Sequence, residues 1–396
     1  MNRVSLGLLV AAVAVTGLAT SEGLPSASQT RAPSTRARNV ILFLADAGGI
    51  STITAASHHA YRAPRRLFIQ RMPYIALSET SSATQLVTDS AAGMTAIVTG
   101  HRTHNGVLSQ STAAVRGKVD GEPLKTILEY AEERGLSTGI ISNDALTGAT
   151  PAALYAKAND RAQTAVIFQQ AFKPRFGDGP DVMIGAGRPA ITKALAEAGI
   201  TLDHLAHGNG WSALASVQEI TSEATRALVL HDSADFDLGA AVKAAIRILS
   251  RNRNGYFLMV ESDTHTDRIR RGLERMAAFD RVIEDTAQLV TGDTLLLFTA
   301  DHSFDLRIRG GRYGTPLLEG LEQAEAETPK GPIRIPALRM DNGHTGEEVL
   351  VAARGPGADR VRGYMANTDL FRVMMRAYGW PLPLPSKVPT AAEPAR

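Results

Sequence analysis

The sequence predicts an α/β fold, with a mostly parallel central β-sheet sandwiched between helices. Three observations carry that expectation. Several short runs read as strands without strict alternation, the first of them largely apolar and so buried on both faces. They are Asn39 to Ala45, Leu136 to Ser142, Tyr256 to Val260 and Thr294 to Thr299. Between them lie segments with helical spacing, from Pro123 to Arg134, Ala240 to Ser250 and Gly272 to Leu289, and strands alternating with helices favour a parallel sheet. Acidic and histidine residues fall where these strands end, at Asp46, Glu261 and Asp301-His302. That is the side of an open α/β sheet on which ligands gather.

Taken in order, the chain opens on a basic start, Met1-Asn2-Arg3, an apolar stretch from Val4 to Ala19, and a Ser, Thr, Pro and Ala-rich lead-in to Arg38. This is the layout of an export signal, with cleavage expected between Ala19 and Ala27. Residues 1–38 are therefore read as signal and flexible lead-in, and 39–396 as a single catalytic domain. The apolar stretch is interrupted by Ser5, Thr16 and Gly17, which disfavours a retained membrane anchor. The first strand ends in Asp46-Ala47-Gly48-Gly49, where glycines permit a tight turn beside an acid. A small-residue helix is expected from Ser90 towards Val98, a short one from Thr164 to Phe172, and a strand with a glycine-rich turn from Val182 to Gly187. The Gly, Pro and charge-rich stretch from Arg307 to Ile335 reads as a surface excursion, either a flap or an exposed loop, and its Leu318-Leu321-Ala324 spacing suits a short helix. A final strand is expected from Glu348 to Ala352.

With 42 Lys+Arg against 40 Asp+Glu, the chain shows no electrostatic preference for nucleic acid or acidic membranes. Its 44% hydrophobic and 21% charged residues exclude a disordered or fibrous chain. There is no cysteine. Disulfides are excluded, and any metal must be held by oxygen and nitrogen.

Ser90, in Thr88-Asp89-Ser90-Ala91-Ala92-Gly93, has two readings. It either caps the helix or is a nucleophile whose phosphoryl group meets the positive helix end. Asp301-His302 follows an apolar strand, and burying that pair is costly unless it shares a metal or is otherwise paired. His344 sits in a glycine-flanked loop, Asn342 to Gly346. In Glu261-Ser262-Asp263-Thr264-His265-Thr266-Asp267, an extended backbone would put Glu261, Asp263, His265 and Asp267 on one side. Together these strand-end groups point to a polymetal site rather than to surface polarity.

The segments Asn39 to Gly49, Thr88 to Gly100, Ala149-Thr150-Pro151-Ala152-Ala153, Tyr256 to Glu261, Thr299 to His302 and His344-Thr345-Gly346 resemble, in order and spacing, the alkaline phosphatase family. The resemblance implies that family's fold and a centre of two zinc ions and one magnesium ion. It implies Asp46 as the carboxylate bridging a zinc and the magnesium, Thr150 and Glu261 as further magnesium ligands, Asp301 and His302 on the second zinc, and His344 on the first. Ser90 becomes the phosphorylated nucleophile and Arg161 the phosphate clamp, a role its planar fork suits. The sequence departs from the family in two places. The histidine expected soon after the glutamate is absent, Arg270 and Arg271 occupying that region, so Asp263 and His265 are taken as first-zinc ligands, with Asp267 as the substitute. Gly148 stands where many relatives carry an aspartate or histidine.

The implied function is metal-dependent hydrolysis of small phosphate monoesters through phosphoserine. The alternatives are a phosphodiesterase or sulfatase-like hydrolase on the same scaffold, or a non-catalytic exported phosphate- or metal-binding protein. The protein is expected to be periplasmic or secreted, with no nucleic-acid partner and no stable membrane span after signal cleavage. The resemblance also implies a homodimer, which no hydrophobic seam in the sequence establishes.

Overall fold

The computed structural model describes residues 35–329 and 331–383, so most of the expected export segment lies outside the described residues. Asn39–Asp46 forms a strand, β1, buried at every position. Its side chains divide between two cores, Val40, Leu42 and Leu44 entering one and Ile41, Phe43 and Ala45 the other. A strand that is apolar on both faces has to be covered on both sides. The remaining strands are β2 (Tyr74–Ser78), β3 (Ser137–Ala145), β4 (Val182–Ala186), β5 (Ala213–Leu214), β6 (Ala227–Leu230), β7 (Tyr256–Asp263), β8 (Thr294–Thr299), β9 (Ser303–Ile308), β10 (Ile333–Arg334), β11 (Leu338–Thr345), β12 (Val349–Arg354) and β13 (Gly363–Met365).

Ten of them form one sheet in the order β13-β2-β12-β8-β1-β7-β3-β4-β6-β5. All neighbours run parallel except the two pairs made by β12. The α/β class with a mostly parallel sheet is thus the observed architecture.

The helices are α1 (Ile50–Tyr61), α2 (Ser90–Thr99), α3 (Ile127–Glu133), α4 (Ala149–Tyr155), α5 (Thr164–Gln170), α6 (Arg188–Glu197), α7 (Leu202–His207), α8 (Leu238–Leu249), α9 (Ile269–Leu289), α10 (Leu321–Glu327) and α11 (Asp369–Tyr378). α1, α8, α9 and α10 cover one face of the sheet. α2 to α7 and α11 cover the other. No helix among the described residues is long and apolar enough to cross a membrane.

Three sequence expectations change. The stretch from Arg307 to Ile335 is not a plain excursion, because it includes the end of β9, α10 and β10. Strands β10, β11 and β9 make a second, antiparallel sheet. His344 consequently lies on β11 rather than in a loop, paired in register with Phe304 of β9. At the turn after β1 the left-handed residue is Ala47, with φ +62°, rather than either glycine. A non-glycine residue in that region is strained by about 1 kcal/mol or more, and the Ala47 N–H donates to Asp301 Oδ1 at 3.3 Å.

Away from the strand ends, α3 buries an acid. Glu132 accepts from the Thr138 hydroxyl at 2.5 Å and from the Gly179 N–H at 3.1 Å. Burial, reinforced by Asp181 and Asp178, outweighs these bonds and raises its pKa from 4.5 to about 8. A raised carboxyl contributes its full stability below 4.5 and loses it as pH climbs through about 8. The loss is about 1.4 kcal/mol per pH unit inside that window. Glu132→Gln is therefore expected to be more stable than the parent at pH 8.5 and to lose that advantage by pH 5. Urea denaturation of both proteins across this range checks it, and parallel stability–pH curves would refute it.

Candidate metal centre and nucleophile

The strands of the large sheet end together, and their register decides which side chains meet. Asp46 of β1 pairs with Asp263 of β7, and Glu261 of β7 pairs with Ser142 of β3. On the other side of β1, β8 runs into Asp301 and His302, both buried. The ligand atoms of Asp46, Asp301 and His302 lie within 4.8 Å of one another, and so do those of His265, His302 and His344. His302 belongs to both groups.

Each histidine's hydrogen-bond partner assigns its tautomer. His302 Nδ1 lies 3.1 Å from the Ser303 carbonyl, His344 Nδ1 3.3 Å from the Thr88 carbonyl and His265 Nδ1 2.8 Å from Asp263 Oδ1. All three partners are acceptors, so Nδ1 donates, and in the neutral ring it is Nε2 that carries the lone pair a metal-binding imidazole needs. The His302 and His344 rings stack with centroids 3.8 Å apart. Burial, then His302 and His265, lower the His344 pKa to about 4. Burial also lowers that of His302. At His265 burial pulls downward too, but Asp263, Asp46 and Asp301 outweigh it and raise the pKa to about 9.

The acids show the opposite strain. Burial, then the Asp301 charge, raises Asp46 well above the carboxylate range, and burial, then Asp46 and Asp144, does the same to Glu261. Asp46 Oδ1, Asp301 Oδ2 and Thr150 Oγ1 are buried with no hydrogen-bond partner. Orphaned buried oxygens are costly. A set of carboxylate, hydroxyl and imidazole donors that leaves these atoms unused fits divalent cations bound through oxygen and nitrogen. The donors fit a centre of two zinc ions and one magnesium ion.

Ser90 is the first residue of α2, and it does not cap the helix. Asp89 is the N-cap, its carboxylate accepting from the Ala92 N–H at 3.0 Å. The Ser90 hydroxyl instead lies 3.2 Å from His302 Nε2. That approach depends on Gly93, where a Cβ would come within 2.8 Å of the Asp301 carbonyl oxygen. The run of small residues after Ser90 thus lets the end of β8 press against α2. Arg161 lies in a turn after α4, with Nη1 3.2 Å from Asp89 Oδ2, so the cap also holds the arginine beside the serine.

Of the residues expected at the site, Asp46, His265, Asp301, His302 and His344 fall in the two donor groups. Glu261 and Thr150 lie behind them, Glu261 accepting a hydrogen bond from the Ser142 hydroxyl. Asp263 falls outside both groups, bonded to His265 and ion-paired with Arg275. Asp267 is exposed and belongs to neither. Arg270 and Arg271, in the first turn of α9, point to other partners, Arg270 to Glu322 and Arg271 to Asp235.

Sequence reasoning missed Asp89 as cap, Ser142, Arg275 and Asp144. A Cβ at Gly148 would come within 2.9 Å of Asp144 Oδ2, so this glycine makes room for a carboxylate from the end of β3. The available signal was spacing. Ser142 and Asp144 are two apart on a strand that ends beside Glu261.

A strand-end cluster of buried acids and imidazoles, with a serine at a helix start against one of them, is the arrangement of an α/β metallohydrolase. The alkaline phosphatase profile matches residues 37–188 and 225–335. The chain belongs to the alkaline phosphatase family and is a metal-dependent phosphomonoesterase. It is 28% identical to the streptomycin-6-phosphate phosphatase of Streptomyces griseus, over 91% of this chain and 95% of that protein. It is 26% identical to the mouse tissue-nonspecific alkaline phosphatase, over 86% and 83% respectively. Its fold is similar to that of Thermus thermophilus alkaline phosphatase, with TM-score 0.73 and 23% identity over 91% of this chain and 96% of that one. It is also similar to the enzyme of the Antarctic bacterium TAB5, with TM-score 0.70 and 21% identity over 88% and 99%.

Proposed function

We propose that Ser90 is the nucleophile of a two-step hydrolysis of small phosphate monoesters. The observation that carries this reading is the Ser90 hydroxyl, buried and 3.2 Å from His302 Nε2, at the start of a helix already capped by its neighbour. In the first step Ser90 Oγ forms a bond to phosphorus as the bond to the leaving oxygen breaks, and the proton that Ser90 loses is matched by one that the leaving oxygen takes up to become the alcohol. In the second, water attacks phosphoserine, releasing phosphate and restoring the hydroxyl. Asp46, Asp301 and His302 would hold one zinc, and His265 and His344 the other. Glu261 and Thr150, with Asp46, would hold magnesium. Bound there, the ions offset negative charge on the attacking, leaving and phosphoryl oxygens. Arg161 supplies a planar fork for phosphoryl oxygens, kept in place by Asp89. The first turn of α2 adds the positive end of its dipole.

The family assignment supports an exported protein, and the N-terminal segment read as a signal fits it. Stripping the protein with a chelator, restoring zinc and magnesium, and comparing a phosphate monoester, a diester and a sulfate ester tests the substrate class. Monoester turnover is expected to vanish on chelation, return with both metals, and exceed the other two by at least tenfold. Equal or greater diester turnover would overturn the proposal.

A further inference from the structure

The end of β7 and the loop after it offer two acidic groups and one imidazole near His344, and the structure separates their duties. Both oxygens of Asp263 are already engaged. Oδ1 accepts from His265 Nδ1 at 2.8 Å and from the His265 N–H at 3.1 Å. Oδ2 takes Arg275 Nη1 at 2.6 Å. The Asp263 backbone is pinned as well, its N–H donating to Asn143 Oδ1 at 2.7 Å. Arg275, on the second turn of α9, is only 12% exposed and turns its other arm, Nη2, to Asp235 at 3.3 Å. Asp235 is exposed and also receives Arg271 at 3.2 Å. A chain of contacts therefore runs from the surface to the imidazole, through Asp235, Arg275, Asp263 and His265.

We propose that Arg275 is a positioning residue of the metal site formed by His265 and His344: it holds Asp263 as the hydrogen-bond acceptor that orients His265, and keeps Asp263 from being a ligand. The inference rests on the metal-centre reading given above. A carboxylate paired with a guanidinium in a sheltered position is not readily given up to another cation. A carboxylate accepting the Nδ1 proton of a metal-binding histidine fixes both its tautomer and its ring orientation. Asp263 is then spent on orienting an imidazole rather than on holding the ion itself.

The test reads zinc binding, without substrate. Metal-free parent, Arg275→Met and Arg275→Lys are titrated with zinc against a fluorescent chelator, and the zinc positions in the loaded parent are located by anomalous scattering. R275M is expected to lose about 10- to 100-fold in affinity for one zinc equivalent, the magnitude typical for removing an outer partner of a ligand. R275K should recover part of the loss, and Asp235→Asn should lose less than R275M. The map should show zinc on His265 and His344 with Asp263 still on Arg275. Unchanged or tighter zinc binding in R275M, or a map with Asp263 on zinc and Arg275 displaced, overturns the proposal. If R275M does not fold, R275K and the map decide by the same criteria. A parent that binds zinc in this arrangement but does not hydrolyse monoesters would overturn the functional proposal while leaving this one standing.

Discussion

Ser90→Ala is expected to reduce kcat/KM for a phosphate monoester by at least about 10³-fold and to abolish the phosphoenzyme, while leaving folding stability within about 0.5 kcal/mol. A serine that caps a helix would show the reverse pattern, with stability reduced by about 1 kcal/mol. Here Asp89 keeps its bond to the Ala92 N–H whether or not the hydroxyl is present. The Ala side chain also fits, because Ser90 is followed by Ala91 and Ala92 in the same packed helix. What the substitution removes is the oxygen next to His302 Nε2. Metals and Arg161 would remain, so phosphate should still bind the variant, as calorimetric titration would show. Acid-quenched labelling with a radioactive monoester, followed by peptide mass mapping, reads the outcome. Labelling of a different residue, or parent-level turnover in the variant, would remove Ser90 from the mechanism.

Asp46→Asn is expected to act on stability in opposite directions depending on metal. With protein groups alone, Asp46 is buried beside Asp301, and burial followed by that charge raises its pKa. As pH rises above the ordinary carboxylate range, this buried acid subtracts stability, because the unfolded chain releases its proton first. An asparagine of the same size removes that penalty. The metal-free variant should therefore unfold at a higher temperature than the metal-free parent at pH 8.5. With zinc and magnesium added, the order should invert. The parent binds the ions in its folded state and gains from mass action, whereas the variant has lost a carboxylate common to two of the proposed sites. Activity should fall by at least about 10³-fold, as expected when a group acting directly on the reaction centre is removed. Melting curves of both proteins with and without metal are the check, and curves that do not cross would remove Asp46 from the ligand set.

The parts of this molecule legible in its sequence are those dictated by burial. β1, β7 and β8 contain largely apolar runs because each is covered on both faces, and Asp46, Glu261, Asp301 and His302 stand out because a charged or imidazole group directly after such a run needs a partner. The small sheet was not legible. β9 and β10 are short and partly exposed, with Arg307 and Arg334 facing outward, so they lack the apolar signature of the central strands. The duties of Asp263 were hidden for a different reason. Alternation along an extended segment places Glu261 and Asp263 on one side, but it cannot see Arg275, which arrives from a helix twelve residues later in the chain. Nor does spacing distinguish Ser90 from Asp89 as the cap, since both residue types are good ones. Only the backbone conformation at Asp89 separates them.

The donor atoms come from widely separated parts of the described chain, Asp46 from the first strand and His344 from β11 of the second sheet, with Asp301 and His302 at the corner between the sheets. A protein with no cysteine has no covalent tie between such distant segments. Ions shared by these side chains would act as reversible staples, closing very long loops whose freedom the unfolded chain would otherwise regain. Depletion of metal should then loosen the β9–β11 sheet before the ten-stranded one, so that backbone amide exchange at Leu338–Thr345 serves as an early marker of metal loss.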